Sequence, residues 1–259
     1  ETGQQYTVYP YASSNYDGYL GETAWKGGAE LFWRPRQNVQ VSATLAPDFG
    51  SVETDDVVVN VSAFEVFFRE RRPFFLEDQD VFDTTPRSDS GNRGVRTTLL
   101  NTRRIGARPI APELEDDQAI DDVVLGRGAD LYGALKVTGN SGRLRYGALS
   151  AFEEDTDFVV SDAADGSTFG LTQPGRDFGA VRLLYEDASG GGYRQFGWLS
   201  THVRHETLEA SVQGLDGHWL SGNGALKLDG QFVYSDVRED GTRTEGFGAV
   251  LDATRSAEH

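Results

Sequence analysis

The chain has 259 residues, a formal net charge of −17, and neither cysteine nor methionine. The lack of cysteine excludes disulfide bonds, thiolate metal sites and cysteine nucleophiles. The acid excess argues against a nucleic-acid partner, since binding a phosphate backbone needs a clustered basic surface. No apolar run of about 18 residues is present, so a transmembrane helix is not expected.

Alternation of apolar and polar residues with period two runs through most of the chain and predicts β-strands. Runs of this kind occur at residues 39–45, 131–137, 144–148, 179–185, 193–203 on odd positions, 208–212, 226–235 and 247–253. The run at 226–235 has about the length of a strand that crosses a bilayer at about 45° of tilt. The negative mean hydropathy fits such strands, because only every second residue faces lipid.

Short turn signals separate many of these runs, at residues 139–142, 189–192, 221–224 and 239–241. Their Gly, Asn, Asp and Ser residues favour tight hairpins. Two other connections, 108–127 and 153–176, are longer and acidic. We therefore predict an all-β fold, an antiparallel transmembrane β-barrel of outer-membrane type with roughly ten strands in this chain. Residues 1–259 are predicted to form a single barrel domain or the N-terminal part of one.

An insert at about residues 46–83 breaks the strand pattern with its density of charge and aromatic rings. From Ala46 to Glu77 it reads APDFGSVETDDVVVNVSAFEVFFRERRPFFLE. Proline cannot donate a ladder hydrogen bond, so Arg72-Pro73 is predicted to mark a turn or a sheet edge. Because an arginine fork holds carboxylates at two points, the charges predict a polar network in a barrel lumen, structural or solute-binding. Its predicted members are Asp48, Glu53, Asp55, Asn60, Glu65, Arg72, Glu77, Arg103 and Arg104.

The insert resembles an uncharacterised family of bacterial outer-membrane β-barrels, in which the barrel usually follows an N-terminal, family-9-like carbohydrate-binding module. The family pattern reads NPDFxQVEAD, then VNLxxFExFFPEKRPFFLEG, an SRRIG element and a GAKLTG strand. The chain matches it at Pro47, Asp48, Phe49, Val52, Glu53, Asp55, Val59, Asn60, Phe64, Glu65, Phe67, Phe68, Glu70, Arg72, Pro73, Phe74, Phe75, Leu76 and Glu77. It departs at Ala46, Ser51, Thr54, Arg69, Arg71 and Asp78.

This resemblance implies a location in the cell outer membrane, contact with its lipid, and passage or handling of glycans or similar solutes without catalysis. Barrels of the family are longer than this chain, so the resemblance also implies a remaining barrel segment or a second chain as partner. No cofactor is expected, and no nucleic acid.

Two other classes fit parts of the sequence. A secreted β-sandwich could bind carbohydrate through Trp25, Trp33, Trp198 or Trp219. A glycoside hydrolase needs only two suitably spaced carboxylates, and 41 acidic residues make chance pairs unavoidable. His202 and His205 would lie on opposite faces of a strand, so no metal site is expected. The acidic runs at 115–122 and 153–157 are candidates for calcium, although a solvated loop fits them better.

Overall fold

The computed structural model describes residues 3–17, 22–47, 70–85, 98–120 and 125–256. Its strands are β1 (Gln5–Asp17), β2 (Glu22–Arg36), β3 (Val39–Leu45), β4 (Gln118–Ile120), β5 (Leu131–Ser141), β6 (Leu144–Glu153), β7 (Thr156–Asp162), β8 (Thr168–Gln173), β9 (Asp177–Asp187), β10 (Tyr193–Arg204), β11 (Leu208–Leu220), β12 (Leu226–Glu239) and β13 (Thr242–Arg255). The prediction of an all-β, antiparallel fold is confirmed. Within these described ranges, no helix has the length and hydropathy needed to span a membrane.

Ten strands form one sheet in the order β1-β2-β3-β5-β6-β9-β10-β11-β12-β13, and each neighbouring pair is antiparallel. Strands β4, β7 and β8 form a separate small sheet. In the large sheet β1 and β13 are the two edges. The chain therefore runs up and down through the sheet, with two excursions that contain the insert and the small sheet.

The two rims of the large sheet carry different connections. At one rim, the turn rim, strands are joined by residues 37–38, 142–143, 188–192 and 221–225. The opposite rim, the loop rim, carries the long connections 46–130 and 154–176 besides short turns. One of these short turns contains Asp240 and Gly241, whose φ angles are 47° and 79°. Positive φ at both central residues is the type I′ hairpin geometry that an Asp-Gly pair favours.

The pairing register divides the large sheet into two faces, since partners on antiparallel strands point to the same side. The packed face includes Lys136, Leu149, Arg182 and Asp216 and contacts the insert. The exposed face includes Leu135, Val181, Leu183, Trp198, Leu215 and Phe232. The apolar runs predicted on β3, β6, β9, β12 and β13 lie on this exposed face.

On β10 and β11 the predicted apolar positions lie on the packed face instead. Odd positions 193–203 of β10 lie on the packed face, whereas Phe196 and Trp198 point to the exposed side. The physical reason is that the insert covers this part of the sheet with an apolar cluster, which Leu199 joins. Both faces are thus partly apolar here, and alternation alone does not distinguish them.

We extend the name insert to residue 107, because residues 98–107 pack together with the segment predicted from the sequence. Its described residues, 70–85 and 98–107, pack on the large sheet through a hydrophobic core. The insert contributes Phe74, Phe75, Val81, Phe82 and Ile105 to this core. The sheet contributes Leu131, Ala134, Leu149, Ala151, Ala180 and Leu199. Helix α1 (Pro73–Leu76) starts directly after the extended Arg72. Arg72-Pro73 therefore begins a short helix and not the predicted turn or sheet edge, because proline is well suited to the first helical position.

Two glycines of the packed face make room for this core. A Cβ at Gly147 would lie 2.7 Å from the ring of Phe82, and one at Gly214 would overlap the side chain of Leu99. These strands of the large sheet thus lack side chains at two points where the insert approaches closely.

Candidate functional site

The described part of the insert contains the buried carboxylate of Glu70. It accepts hydrogen bonds from Arg72 Nε at 2.8 Å and from Arg72 Nη2 at 2.7 Å, and Thr102 Oγ1 donates to it at 2.7 Å. Arg103 Nη1 lies 3.9 Å from the same carboxylate. Arg72 also donates to the carbonyl oxygens of Thr102 and Ile105, each at 2.6 Å. The network therefore joins the two described halves of the insert.

Electrostatics keeps Glu70 ionised in this buried position. Burial by itself raises the pKa of the carboxyl, but the hydrogen bonds and positive charge of Arg72 outweigh it and lower the pKa to about 2. The Arg72 guanidinium in turn lies 4.2 Å from the centre of the Phe75 ring. A buried charge pair of this kind is tolerated because almost every polar atom has a partner.

A second buried ion pair connects the sheet to the end of the described insert. Arg182 on β9 and Asp216 on β11 form a two-point contact across β10, and both side chains are fully buried. Asp216 also accepts hydrogen bonds from Thr85 N and Oγ1, each at 3.1 Å. Arg182 lies over Gly197 of β10, where any Cβ would overlap the guanidinium. The glycine therefore opens the path between the two charged side chains.

Further polar contacts attach the insert to other strands of the packed face. Lys136 on β5 donates to the carbonyl oxygens of Phe74 and Glu77 at the ends of α1. Thr138 donates to Asp78 at 2.6 Å. Glu153, at the end of β6, accepts from the backbone amide of Gly106 at 2.8 Å. The described part of the insert is thus held by side chains that belong to the sheet.

The exposed face has the opposite chemistry, and charged pairs bound its apolar surface. Asp187 of β9 lies opposite Arg194 of β10 near the turn rim, and Asp177 lies opposite Arg204 near the loop rim. Between these two pairs the exposed side of β9 and β10 carries Gly179, Val181, Leu183, Tyr185, Phe196, Trp198, Ser200 and His202. We call this zone, with its continuation on the other strands of the large sheet, the apolar belt.

The apolar belt continues over the described exposed-face positions of the whole large sheet. At that level its members include Leu31, Val41, Leu135, Ala148, Leu215, Phe232 and Leu251. Towards the loop rim, Asp236 of β12 and Glu245 of β13 lie in register with Ser211 and His202 and end the belt on those strands. Leu215 is 56% and Leu251 82% exposed. So extensive an exposed apolar surface is unusual for a protein in water.

A cleft of about 600 Å³ lies on the packed face between the insert and the first two strands. Its floor consists of three register pairs, Gln5 with Arg34, Thr7 with Phe32, and Tyr9 with Glu30. Pro73 and Glu77, at the two ends of α1, form its side. The cleft combines two aromatic rings with carboxylates, an amide and a guanidinium, which are groups that can orient a small polar ligand.

Comparison with known families identifies the chain. The family described as "Domain of unknown function (DUF5916)" matches residues 4–259. The chain belongs to this family. This membership is compatible with the resemblance to an uncharacterised family drawn from the insert motifs. No curated protein and no solved structure matches the chain.

The structure of this DUF5916 domain places the predicted network residues in different surroundings. Arg72 and Arg103 lie together at Glu70, whereas Glu77 lines the cleft with its carboxylate 3.8 Å from Arg34 Nη2. Arg104 is exposed in the short 3-10 turn that also contains Arg103. The predicted members Asp48, Glu53, Asp55, Asn60 and Glu65 lie outside the described residues.

Sequence reasoning did not select several of the polar residues at this site. Glu70 was part of the quoted motif, and its two arginine neighbours are a local signal for a charged cluster. Arg182, Asp216 and Lys136 lie in ordinary strand patterns, and only the register of the sheet brings them to the insert. Among the described residues, no three His, Asp or Glu side chains are grouped as a metal site would require.

Proposed function

We propose that this chain forms part of the wall of an outer-membrane β-barrel, with the insert held inside the lumen. The apolar belt is the observation that carries the proposal. Its bounding charges Asp177 and Asp187 stand at the two ends of the eleven-residue strand β9. That strand is about 33 Å long, which corresponds to about 25 Å of height at a tilt of about 40°, the height of the lipid-facing band of such barrels.

The distribution of polarity supports lipid as the surroundings of the exposed face. In water, a surface formed by ten strands with apolar residues such as Phe196, Leu215 and Leu251 would favour aggregation. In a bilayer the same residues face hydrocarbon, and the polar groups of the packed face are kept away from it. A secreted β-sandwich would cover this face with a second sheet, and exposures of 66% for Phe196 and 82% for Leu251 argue against such a layer.

The asymmetry of the two rims supports the same proposal. The turn rim has connections of two to five residues, while the loop rim carries both long excursions. Outer-membrane barrels have short turns on the periplasmic side and longer loops outside. The turn rim is then periplasmic, and the small sheet of β4, β7 and β8 belongs to the extracellular side.

The proposal requires partners for the two edge strands. Unpaired backbone groups are very costly in hydrocarbon, so β1 and β13 cannot stay as open edges within lipid. Both edge strands are antiparallel to their neighbours in the sheet, so a further antiparallel strand can be added at either edge. A remaining barrel segment or a second chain would supply the missing pairing.

The task that we propose for the barrel is passage or handling of glycans or similar solutes, without catalysis. Support comes from the resemblance to barrels that follow a carbohydrate-binding module, and from a packed face whose cleft is lined by polar and aromatic groups. The insert would then narrow the lumen and determine which solutes pass.

Fractionation of cells that express the protein with an outer-membrane targeting signal tests this proposal. We expect the chain in the outer-membrane fraction, resistant to carbonate extraction and soluble only with detergent. A band that shifts on boiling before electrophoresis would indicate a folded barrel wall. A monodisperse, detergent-free protein in aqueous buffer would contradict the proposal.

A further inference from the structure

The floor of the cleft beside the insert consists of paired residues of β1 and β2. Tyr9 and Glu30 are cross-strand partners on β1 and β2, and Thr7 and Phe32 form the next pair on the same face. The rings of Tyr9 and Phe32 meet edge to face with centroids 6.0 Å apart. Tyr9 is 57% exposed. These two rings give the floor an apolar surface that a ligand can cover.

Polar groups surround this aromatic floor on several sides. Arg34 donates through Nε to Gln40 at 2.7 Å and lies beside the Glu77 carboxylate, so its guanidinium has a defined position. Glu77 is fixed by the contact of its carbonyl oxygen with Lys136. Glu30 forms no ion pair with another described residue, which leaves its carboxylate available as an acceptor.

The charge balance and the mixture of donors and acceptors restrict the class of ligand. Two carboxylates and one guanidinium give the lining a formal charge of −1, which disfavours an anionic solute. Hydroxyl groups both donate and accept hydrogen bonds, so a polyhydroxylated solute can use the carboxylates and the guanidinium at once. The aromatic pair suits a ligand that also has a flat apolar side.

We infer that this cleft is a binding site for a neutral saccharide unit, stacked on the ring of Tyr9 with Phe32 beside it, and hydrogen-bonded by Glu30, Arg34 and Glu77. A volume of about 600 Å³ is in the usual range of small-molecule sites. The inference rests on the proposed function, because it places the solute on the packed face that would line the lumen. It goes beyond that proposal by naming the site, its residues and the charge of the ligand.

Titration of the full chain with maltose, cellobiose and a uronic-acid disaccharide tests the inference. The protein is used in detergent micelles, or in buffer if it proves soluble, and binding is followed by saturation-transfer NMR and calorimetry. We expect saturable binding of at least one neutral disaccharide and weaker binding of the anionic one. Tyr9→Ala and Glu30→Gln should each weaken the affinity by about tenfold, a loss of about 1.4 kcal/mol.

Two matched variants serve as controls. Tyr16→Ala changes the same residue type on the same strand but on the exposed face, and Glu209→Gln changes an exposed glutamate at the loop rim. Both should bind like the unchanged chain. Because Tyr9 is largely exposed, its truncation should not prevent folding, and a circular dichroism spectrum checks this for every variant.

Absence of saturable binding of either neutral sugar would overturn the inference, as would equal effects of Tyr9→Ala and Tyr16→Ala. Tighter binding of the anionic disaccharide would overturn the assigned ligand class. The proposed outer-membrane location is judged separately by fractionation. A membrane-inserted chain that binds no sugar would refute only the cleft, and a soluble chain that binds sugar would refute only the barrel.

Discussion

Substitution of Leu215 by arginine separates lipid from water as the surroundings of the exposed face. Leu215 lies on β11 between Trp198 of β10 and Phe232 of β12. Within the twelve-residue strand β10, Trp198 stands near the middle of the interval from Arg194 to Arg204. Leu215 is therefore close to the centre of the apolar belt, which in the proposed barrel lies near the midplane of the bilayer.

The expected magnitudes differ strongly between the two surroundings. An arginine on the lipid face near the bilayer midplane costs about 2–4 kcal/mol, and near the interface about 0–1 kcal/mol. At a site that is 56% exposed to water, a surface substitution changes stability by only about 0.5 kcal/mol or less. Leu144→Arg is the matched control, since Leu144 is 40% exposed on the same face and pairs with Tyr185, next to the bounding residue Asp187.

Urea unfolding of protein refolded into lipid vesicles, followed by tryptophan fluorescence, measures these differences. We expect the free energy of unfolding to fall by about 2–4 kcal/mol for Leu215→Arg and by about 1 kcal/mol or less for Leu144→Arg. Equal stability of the Leu215→Arg variant and the unchanged chain would refute the assignment of this face to lipid.

Three predictions concern the attachment of the insert and are measured by denaturant unfolding in the same vesicles. Gly197→Val should cost about 1–3 kcal/mol, because the new side chain overlaps the Arg182 guanidinium; Gly179→Val, where a Cβ meets no atom within 4 Å, should cost less. Asp216→Asn should cost about 3–5 kcal/mol, because it leaves Arg182 buried without its counter-charge. Glu70 has a pKa of about 2 in the fold against an ordinary 4.5, so its stabilisation is complete above about pH 5 and is lost as the pH falls towards 2. Glu70→Gln should therefore destabilise at pH 7, by on the order of 3 kcal/mol, and flatten the acid limb of the stability curve.

Each of these predictions has a contrary outcome. Identical effects of Gly197→Val and Gly179→Val would show that the path of Arg182 over β10 is unimportant. A neutral Asp216→Asn would mean that Arg182 finds another partner or water. An unchanged acid limb in Glu70→Gln would show that other carboxylates determine acid stability.

The sequence by itself determined the strand class and much of the exposed face. Alternation on β12 and β13 puts most of the apolar residues on one side, so the pleat alone decides which residues point together. The Asp240-Gly241 turn could likewise be predicted, since its positive φ angles are a local property of those two residues. Local rules suffice wherever a strand has one apolar face and its turn has few conformations.

Only the tertiary structure decided which face of β10 and β11 is covered and which charges meet. Leu199 and Phe196 give β10 apolar residues on both sides, and the position of the insert distinguishes them. Arg182 and Asp216 are 34 residues apart, and Glu70 reaches Thr102 across 32 residues. Such pairs depend on sheet register and on the path of the insert, and these are set by packing of the whole chain and not by any local segment.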